Sequence, residues 1–391
     1  MRIFISTGEV SGDLQGALLV EALYRQAKLK EIELEILAIG GSRMAAAGAK
    51  LLGNTATIGS VGILESLPFL LPTFRLQQKT LQYLRQFPPD IVVLVDYMGP
   101  NLKMGRSLRY TFPNIPIIYY IAPQEWVWSF GGKSTQQIVK FTDKLLAIFP
   151  EEARYFKQKG ANVTWVGHPL LDRMQTAPSR EQARQTLGIS KDQIVVALIP
   201  ASRWQEIRYL MPVMFQAAQA LQAKLPHLKF WVPVSLKEYH DSIQKATEKY
   251  NLNAKLVTAD QLKNHTLNVL AAADLALTKS GTVNLEIALL NVPQVVMYRV
   301  SPITAWIARY LLKFSIPFMS PPNLVQMKSI VPELLQDEAI PENIIAESIQ
   351  LLQNQEIRQK MLENYQEMRH ALGEVGVCDR AAVKILESIV E

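Results

Sequence analysis

The hydrophobic residues fall into short apolar runs that alternate with stretches of helical periodicity. The first half contains such runs at 3–6, 36–39, 91–95, 115–121, 145–149 and 163–166. The second half repeats them at 194–199, 230–234, 255–257, 275–278 and 295–298. Polar residues do not alternate within the runs, which is typical of strands covered on both faces, as in parallel sheets.

Helix signals lie between these predicted strands. Pro150 opens a predicted helix over 150–159, followed by acidic residues in the first turn and closed by Gly160. The polar stretch 172–191 separates the two sets of strands, and three helical stretches end the chain between 341 and 390. The pattern therefore predicts an α/β protein of two consecutive doubly wound, Rossmann-like domains.

Composition narrows the class of protein. The chain has 391 residues, 49% of them apolar and 19% charged, which excludes disorder, collagen and coiled coil. The net charge of +6 suits an anionic substrate or membrane surface and does not require nucleic acid. Because Cys378 is the single cysteine and no long apolar segment is present, we expect a cytoplasmic chain without disulfides or a spanning helix.

Several common ligand motifs are missing from the sequence. There is no H-E-x-x-H, Asp-x-Asp or G-x-x-x-x-G-K-[ST] motif, so neither a metal site nor P-loop ATP chemistry is predicted. The turn after the first strand is not G-x-G-x-x-G, and the second strand ends in Gly40-Gly41 instead of an acid. We therefore predict no NAD and no other cofactor.

Polar residues follow the strands of the first half, where active sites of open α/β sheets lie. Gly8–Asp13 forms a turn before the first helix, and Asp96 ends a buried strand, where it suits a general base. Glu125 lies in a tryptophan-rich loop that suggests a wall for a sugar or acyl chain, and His168 follows a later strand. Each feature also has a purely structural interpretation. Gly8–Asp13 could be only a tight turn and Asp96 a helix cap. The tryptophan-rich loop could be core packing and His168 a hydrogen-bonded structural residue.

The residues that follow two predicted strands in the second half are suited to binding a phosphate group. Arg203 stands before a helix, where a guanidinium can bind phosphate in bidentate fashion, unless it only pairs with Glu206 or Glu181. The turn over 280–282 precedes another helix, whose first amides can hold a diphosphate. Glu286, one helical turn further, is placed to reach a ribose diol. The alternative is an ordinary turn with a surface glutamate.

Taken in order, these segments resemble the lipid-A-disaccharide synthase family of GT-B glycosyltransferases over nearly the whole chain. The matching segments are 8–13, 41–44 with Gly48, Asp96, 126–128, 167–172, 202–203 with Glu206, 280–282 with Glu286, 298–299, 322–324 and 331–336. Gly99 and Ser129 stand where the family usually has Asp and Arg, so the nucleotide side matches better than the acceptor side.

The resemblance implies an inverting, metal-independent transfer of a diacylglucosamine from its UDP derivative to diacylglucosamine 1-phosphate. The products are the β-1,6-linked disaccharide and UDP. Asp96 is the expected base, and the other catalytic candidates are Glu9, Glu125 and His168. The residues expected to hold UDP are Ser202, Arg203, Ser280, Gly281, Thr282, Glu286, Tyr298 and Asn323.

The resemblance also implies a domain plan. Residues 1–170 would bind the acceptor, residues 171–354 the UDP-sugar, and residues 355–391 would return to the first domain. Two alternatives remain: another UDP-sugar enzyme of this fold, such as an epimerase or the peptidoglycan-lipid transferase, and a non-catalytic UDP-sugar-binding protein. The sequence leaves open a homodimer and the acyl-chain length.

The segment 61–74 is dense in apolar residues but broken by Pro68 and Pro72 and too short to span a membrane. Basic residues follow it at Arg75, Lys79 and Arg85. Because the family's substrates are acylated, we expect this segment to bind the cytoplasmic face of the inner membrane peripherally. The expected contact residues are Ile63, Leu64, Leu67, Phe69, Leu70, Leu71 and Phe74. The alternative is a segment of the core.

Overall fold

The protein's structure is a computed structural model. It describes residues 1–55, 63–127, 132–262, 264–302, 304 and 317–388, without the side chains of Glu9 and of residues 63–70. Trp128 and Ser129 of the tryptophan-rich loop lie outside the described residues.

The chain forms two units that are each built on one parallel sheet. The first unit comprises Met1–Arg173 together with Ala371–Glu391, and the second comprises Met174–His370. The first unit is therefore discontinuous along the chain.

The sheet of the first unit has seven parallel strands in the order β3-β2-β1-β4-β5-β6-β7. Its strands are β1 Arg2–Ser6, β2 Glu35–Gly40, β3 Lys50–Asn54, β4 Ile91–Val95, β5 Ile117–Tyr120, β6 Lys144–Ala147 and β7 Val163–Trp165. In the register of the central strands, Ile3 of β1 lies opposite Ile36 of β2 and Ile91 of β4. These central strands carry almost only fully buried apolar side chains, which form the core.

Helices connect the strands of the first unit. They are α1 Glu9–Leu29, α2 Ser42–Ala46, α3 Ile63–Gln86, α4 Met98–Thr111, α5 Lys133–Phe141, α6 Pro150–Gln158 and α7 Leu170–Met174. Helix α6 begins at Pro150. Proline suits the first turn of a helix because a backbone N–H at that position would have no acceptor within the helix.

The sheet of the second unit has six parallel strands in the order β10-β9-β8-β11-β12-β13. They are β8 Val195–Ile199, β9 Lys229–Pro233, β10 Ala254–Val257, β11 Leu275–Lys279, β12 Gln294–Tyr298 and β13 Glu333–Leu335. The helices described from here to the end of the chain are α8 Arg180–Leu187, α9 Trp204–Tyr209, α10 Met211–Lys224, α11 His240–Lys249, α12 His265–Ala272, α13 Val283–Leu289, α14 Pro321–Gln326, α15 Pro341–Gln353, α16 Gln355–Ala371 and α17 Val377–Glu387.

A strand lies at every place where the apolar runs predict one, and two further strands occur at sheet edges. Strand β3 is only partly buried and contains Gly53, whereas β13 has three residues. An edge strand pairs on one side only, so neither strand needs the continuous apolar run by which a central strand is recognised.

The C-terminal helix α17 packs along α1 of the first unit. Asp172 fixes the start of α17, because its carboxylate accepts the backbone N–H groups of Gly376, Val377 and Cys378 at 2.6, 3.1 and 2.7 Å. These are amides that a helix cannot bond internally. The segment 167–172, identified from the sequence by its resemblance, thus ends in the residue that anchors the last helix.

Helix α16 packs within the second unit. The Gln294 side chain donates to the Tyr365 hydroxyl at 3.2 Å, and Arg369 donates to the Leu289 carbonyl at 2.6 Å. The return of the chain to the first unit therefore falls at residue 371, one helix later than the residue 355 that the resemblance implied.

We predict that Asp172→Ala lowers the free energy of unfolding by about 2–4 kcal/mol, because three helix-terminal amides lose a charged acceptor. Asp379→Ala is the matched control, since the Asp379 carboxylate pairs with Arg25 on the surface, with side chains 41% and 54% exposed. Its expected cost is below about 1 kcal/mol. Urea unfolding followed by circular dichroism measures both, and equal losses would contradict the anchoring role of Asp172.

Candidate active site

Each sheet places two of the predicted loops next to each other. In the first sheet the strand order reverses between β1 and β4, which brings the start of α1 beside Asp96. The turn predicted over Gly8–Asp13 is wrong beyond Gly8, because α1 already begins at Glu9. In the second sheet the strand order reverses between β8 and β11, which brings Ser202 and Arg203 beside the turn 280–282. Ligands of open α/β sheets bind at such reversals, outside the carboxyl ends of the strands. The structure thus groups the candidates into two sites, one on each unit.

Asp96 has a strained backbone that its neighbours hold in place. Asp96 and Tyr97 both have left-handed backbones, with φ of 47° and 55°. The buried Asn101 amide donates to the Asp96 carbonyl at 2.8 Å, and the Tyr119 hydroxyl donates to the same oxygen at 2.8 Å. Strain of this kind costs about 1–3 kcal/mol per residue and persists where surrounding groups enforce it, often at active sites.

Gly8, which directly precedes α1, packs against the ring of Tyr97. A Cβ atom at Gly8 would lie 2.5 Å from the ring of Tyr97, so only glycine lets the ring pack there. Asn101 also accepts from the Ser6 hydroxyl at 2.7 Å, which connects α4 to the end of β1. Asn101 was missed from the sequence, although an asparagine on the buried face of a helix is itself a signal of a hydrogen-bonded role.

Asp13 holds the loop after β2. Its carboxylate accepts from the amides of Gly41, Arg43 and Met44 at 2.8, 3.1 and 3.1 Å. Asp13 lies on α1 and thus caps the start of another helix, α2. The segments 8–13 and 41–44 are therefore one hydrogen-bonded assembly.

Glu125 lies buried in the loop after β5, and Glu152 lies buried in the first turn of α6, which follows β6. Glu125 accepts from the Thr135 hydroxyl at 3.0 Å. Glu152 accepts from the amides of Ala122 at 2.9 Å and Ile148 at 2.8 Å, and so ties the two loops together. Burial raises the pKa of Glu152 to about 8, because the apolar surroundings oppose its charge more than the amide donors favour it. In the sequence Glu152 was visible only as an acidic residue of a first helical turn.

Three rings form a row beside these carboxyl groups. The Trp126 and Phe149 ring centres are 5.7 Å apart, and those of Phe149 and His168 are 5.2 Å apart. Pairs at these separations are typical of packed aromatic side chains. The side chain of Glu9, the remaining catalytic candidate, is outside the described ones.

His168 is held as a neutral side chain. Its Nδ1 accepts from the Leu170 amide at 3.2 Å, which leaves the proton on Nε2. Complete burial lowers its pKa to about 3. Its backbone amide donates to the Leu372 carbonyl at 2.9 Å. In this tautomer His168 offers a hydrogen-bond donor and no basic nitrogen to a ligand, which favours the structural alternative.

Arg203 and Ser202 are held by Glu206 at the end of β8. One Glu206 oxygen accepts from the Ser202 and Arg203 amides at 2.6 and 3.1 Å, and the other lies 3.3 Å from the Arg203 guanidinium. The Tyr239 hydroxyl donates to the Ser202 carbonyl at 3.3 Å. The pairing with Glu206 that the sequence left open is thus present, and it fixes the arginine at the strand end.

Asn284 shapes the turn after β11. Its side chain accepts from the Gly281 amide at 2.7 Å and donates to the Lys279 carbonyl at 3.1 Å. The Ser280 amide donates to the Met297 carbonyl at 3.0 Å. Two of the amides predicted to hold a diphosphate are therefore already bonded within the protein. Glu286 is 5% exposed on α13, one turn beyond Thr282.

Asn323 is a structural residue of the neighbouring loops. Its carbonyl oxygen accepts from the amides of Ile330 and Val331 at 2.7 and 2.9 Å, and its amide group donates to Glu333 at 2.7 Å. Every hydrogen-bonding atom of this side chain thus has a protein partner. Tyr298, the other candidate in this region, is half-buried at the end of β12.

In the described ranges no three His, Cys, Asp or Glu side chains come together as a metal site. Among the helices that the structure describes, none has the length and apolar content to span a membrane.

Comparison with known proteins gives a consistent result. The family model described as lipid-A-disaccharide synthetase matches residues 3–387. The lipid-A-disaccharide synthase of Gloeothece citriformis is 58% identical, over 100% of both chains. That of Synechocystis is 56% identical, over 99% of this chain and 98% of the relative.

A solved structure shares the fold. The Listeria monocytogenes protein assigned as UDP-N-acetylglucosamine 2-epimerase superposes with a TM-score of 0.69 at 15% identity, over 100% of this chain and 96% of that one. The predicted pair of doubly wound domains is thereby confirmed.

The buried His168 predicts a pH dependence of stability. An unfolded histidine takes up a proton below about pH 6.5, whereas burial lowers the pKa of folded His168 to about 3. Its contribution to stability is therefore complete above pH 6.5 and is lost as the pH falls, by about 2 kcal/mol between pH 8 and pH 5. His168→Asn keeps an acceptor for the Leu170 amide but does not titrate. We expect urea unfolding to show a shallower pH dependence in this variant, and identical dependences would contradict a neutral, buried His168.

Proposed function

This chain belongs to the lipid-A-disaccharide synthetase family and is a glycosyltransferase, and on that premise we propose which of its residues carry out the transfer. The donor is a UDP-sugar and the acceptor an acylated glucosamine. In the finer form of the proposal, a diacylglucosamine passes from UDP to diacylglucosamine 1-phosphate. A β-1,6 bond forms with inversion, and UDP leaves.

Asp96 is the proposed general base of the first unit. Inversion in one step requires a base that takes the proton of the acceptor hydroxyl as the hydroxyl oxygen attacks the anomeric carbon. The observation that carries this assignment is the strained backbone of Asp96, which Asn101 and Tyr119 enforce at the reversal of the first sheet. Because the backbone of Asp96 is held in this way, the position from which its carboxylate projects needs little reorganisation during the reaction.

The second unit is the proposed donor side. Arg203 stands at the reversal of the second sheet, where its guanidinium can pair with a phosphate while Glu206 keeps it in position. Glu286 is the proposed partner of the ribose hydroxyls, since its carboxylate lies on the first turn of α13, next to the turn 280–282. Ser202, Ser280, Gly281 and Thr282 belong to the same two loops, whereas the side chain of Asn323 bonds to Ile330, Val331 and Glu333 and is not a proposed ligand contact.

A membrane-facing surface on α3 and α4 is the proposed source of the acylated substrates. Leu71 and Phe74 are 67% and 37% exposed on α3. The ammonium of Lys103, on α4, lies 3.6 Å from the centre of the Phe74 ring. Arg75 and Arg106 are also exposed on these helices. Apolar side chains among basic ones suit an interface with anionic headgroups. The other predicted contact residues have side chains outside the described ones.

A turnover assay with Asp96→Asn tests the catalytic proposal. Asparagine also tolerates a left-handed backbone, so the loop is preserved while the base is lost. With radiolabelled UDP-diacylglucosamine and acceptor, the wild type should release UDP and form the lipid disaccharide, which mass spectrometry identifies. We expect kcat of the variant to fall roughly 10²–10⁴-fold with UDP affinity unchanged. Near-normal turnover would exclude Asp96 as the base, and a wild type without turnover would contradict the proposed substrates.

Vesicle co-sedimentation of the double variant Leu71→Ser/Phe74→Ser tests the membrane-facing surface. We expect weaker binding to vesicles that contain anionic phospholipid, together with an unchanged melting temperature, because both side chains are already exposed. Leu29→Ser is the matched control, since Leu29 is 77% exposed at the end of α1, away from α3 and α4 in the sequence. Equal binding by the double variant and the control would rule out this surface.

A further inference from the structure

A single peptide group connects the proposed base to a buried carboxyl group of the same unit. This peptide joins Ile121 to Ala122, directly after β5. The Asp96 amide donates to its carbonyl at 3.0 Å, a shorter bond than the one to the Tyr120 carbonyl at 3.3 Å. Its N–H donates to Glu152 at 2.9 Å. Because a peptide group is planar and rigid, the direction that Glu152 imposes on the N–H also orients the carbonyl that Asp96 contacts.

The backbone in front of this peptide is strained. Ile121 has a left-handed conformation, with φ of 59°. That region is sterically unfavourable for a β-branched residue and persists only where surrounding contacts enforce it. The Ile121 amide donates to the Leu146 carbonyl at 3.2 Å, and Glu152 binds the following amide. Loss of Glu152 therefore removes one of the contacts that keep Ile121 in this conformation.

Glu152 reaches this peptide from a different loop. One of its oxygens accepts from the amides of Ile148 and Phe149 at 2.8 and 3.2 Å, at the start of its own helix α6. The other oxygen accepts from Ala122, 30 residues earlier in the chain. Glu152 is 1% exposed, so an amide that lost this acceptor would be left unsatisfied inside the protein. Glu152 thus cross-links the loops after β5 and β6 at the point where Asp96 is bonded.

Two independent contacts consequently hold the backbone of Asp96. Asn101 and Tyr119 hold its carbonyl, as described above, and the 121–122 peptide holds its amide. Glu152 and Asp96 also interact through their charges. Burial chiefly, and the negative charge of Asp96 to a smaller degree, raise the pKa of Glu152. A test has to separate the bond that Glu152 makes from the charge that it carries.

We propose that Glu152 is a positioning residue, which acts through the 121–122 peptide to fix the backbone from which the Asp96 carboxylate projects. The inference rests on the proposed role of Asp96 as the base. In this role Glu152 contacts neither substrate and transfers no proton. A displacement of about 1 Å in a reacting group can lower a rate about 10²-fold, so a bond outside the reacting atoms is sufficient to affect turnover.

Turnover of Glu152→Gln and Glu152→Asp in the full chain tests the inference. Glutamine keeps the size but has an acceptor at only one of its two terminal atoms, so it cannot serve both loops. Aspartate keeps the charge and an acceptor for the start of α6, but it is one methylene too short to reach Ala122 as well. We expect kcat of both variants to fall roughly 10- to 100-fold. UDP affinity by calorimetry should stay unchanged, because the proposed donor site lies in the second unit.

Asp172→Asn is the matched control. Asp172 is another carboxylate of the first unit that accepts from three amides, but these amides belong to the start of α17. We expect this variant to lower the melting temperature and to leave kcat within twofold of the wild type, at a temperature where all variants are folded. Hydrogen exchange followed by mass spectrometry should show faster exchange of peptides that contain Asp96 in the Glu152 variants only.

A double variant shows whether Glu152 acts through Asp96. In the Asp96→Asn background the base is already absent, so adding Glu152→Gln should change the residual turnover less than twofold. An equal loss in both backgrounds would show that Glu152 acts elsewhere and would overturn the inference. If Glu152→Gln does not fold, Glu152→Asp takes its place in this comparison.

The other outcomes separate the inference from the function on which it rests. Normal kcat in both Glu152 variants, or an equal loss in Asp172→Asn, would overturn the positioning role and leave Asp96 as the base. A loss in Glu152→Gln that Glu152→Asp does not share would assign the effect to charge and would also overturn it. Near-normal turnover of Asp96→Asn would instead overturn the proposed base.

Discussion

Backbone amides in the loops beyond parallel strands have no ladder partner, and buried or half-buried side chains supply the missing acceptors in several of the loops that the structure describes. Asp13, Glu152 and Asp172 each accept from at least three amides or join two loops. Asn101 and Asn284 do the same with carboxamides, which can donate as well as accept. Removing one such group exposes several unsatisfied donors at once, so the loops that carry the candidate sites depend on a few side chains.

This constraint changes how the motifs of the sequence are interpreted. Segments that resemble the family suggest ligand contacts. In the structure, however, the side-chain oxygens of Asp13, Asp172 and Asn323 accept hydrogen bonds from backbone amides of the protein itself. The side chains that we propose to act on substrates are held by other residues: Asn101 donates to the Asp96 carbonyl, and Glu206 pairs with Arg203. In the proposed sites, each residue that would meet the ligand therefore has a partner that fixes its position.

The sequence predicted the central strands because each is a continuous apolar run, and it predicted that the candidate polar residues follow strand ends because active sites of open α/β sheets lie at that edge. It did not reveal β13, whose three residues carry too little pattern. Contacts distant in sequence were also hidden, such as that between Asp172 and Gly376, because local periodicity holds no information on which loop an isolated carboxylate will reach. The return point of the chain was likewise set by tertiary contacts, since the Gln294–Tyr365 hydrogen bond keeps α16 on the second unit.

The discontinuity of the first unit has a consequence for biosynthesis. A ribosome completes β1 to β7 long before it makes α17, and the whole second unit, roughly 200 residues, is translated in between. At 5–20 residues per second this interval lasts about 10–40 s. Throughout it the face of α1 that α17 will cover lacks its partner, and the acceptor Asp172 lacks its amides. The second unit is therefore synthesised in full before the last element of the first unit, whose packing is completed only once α17 has been added.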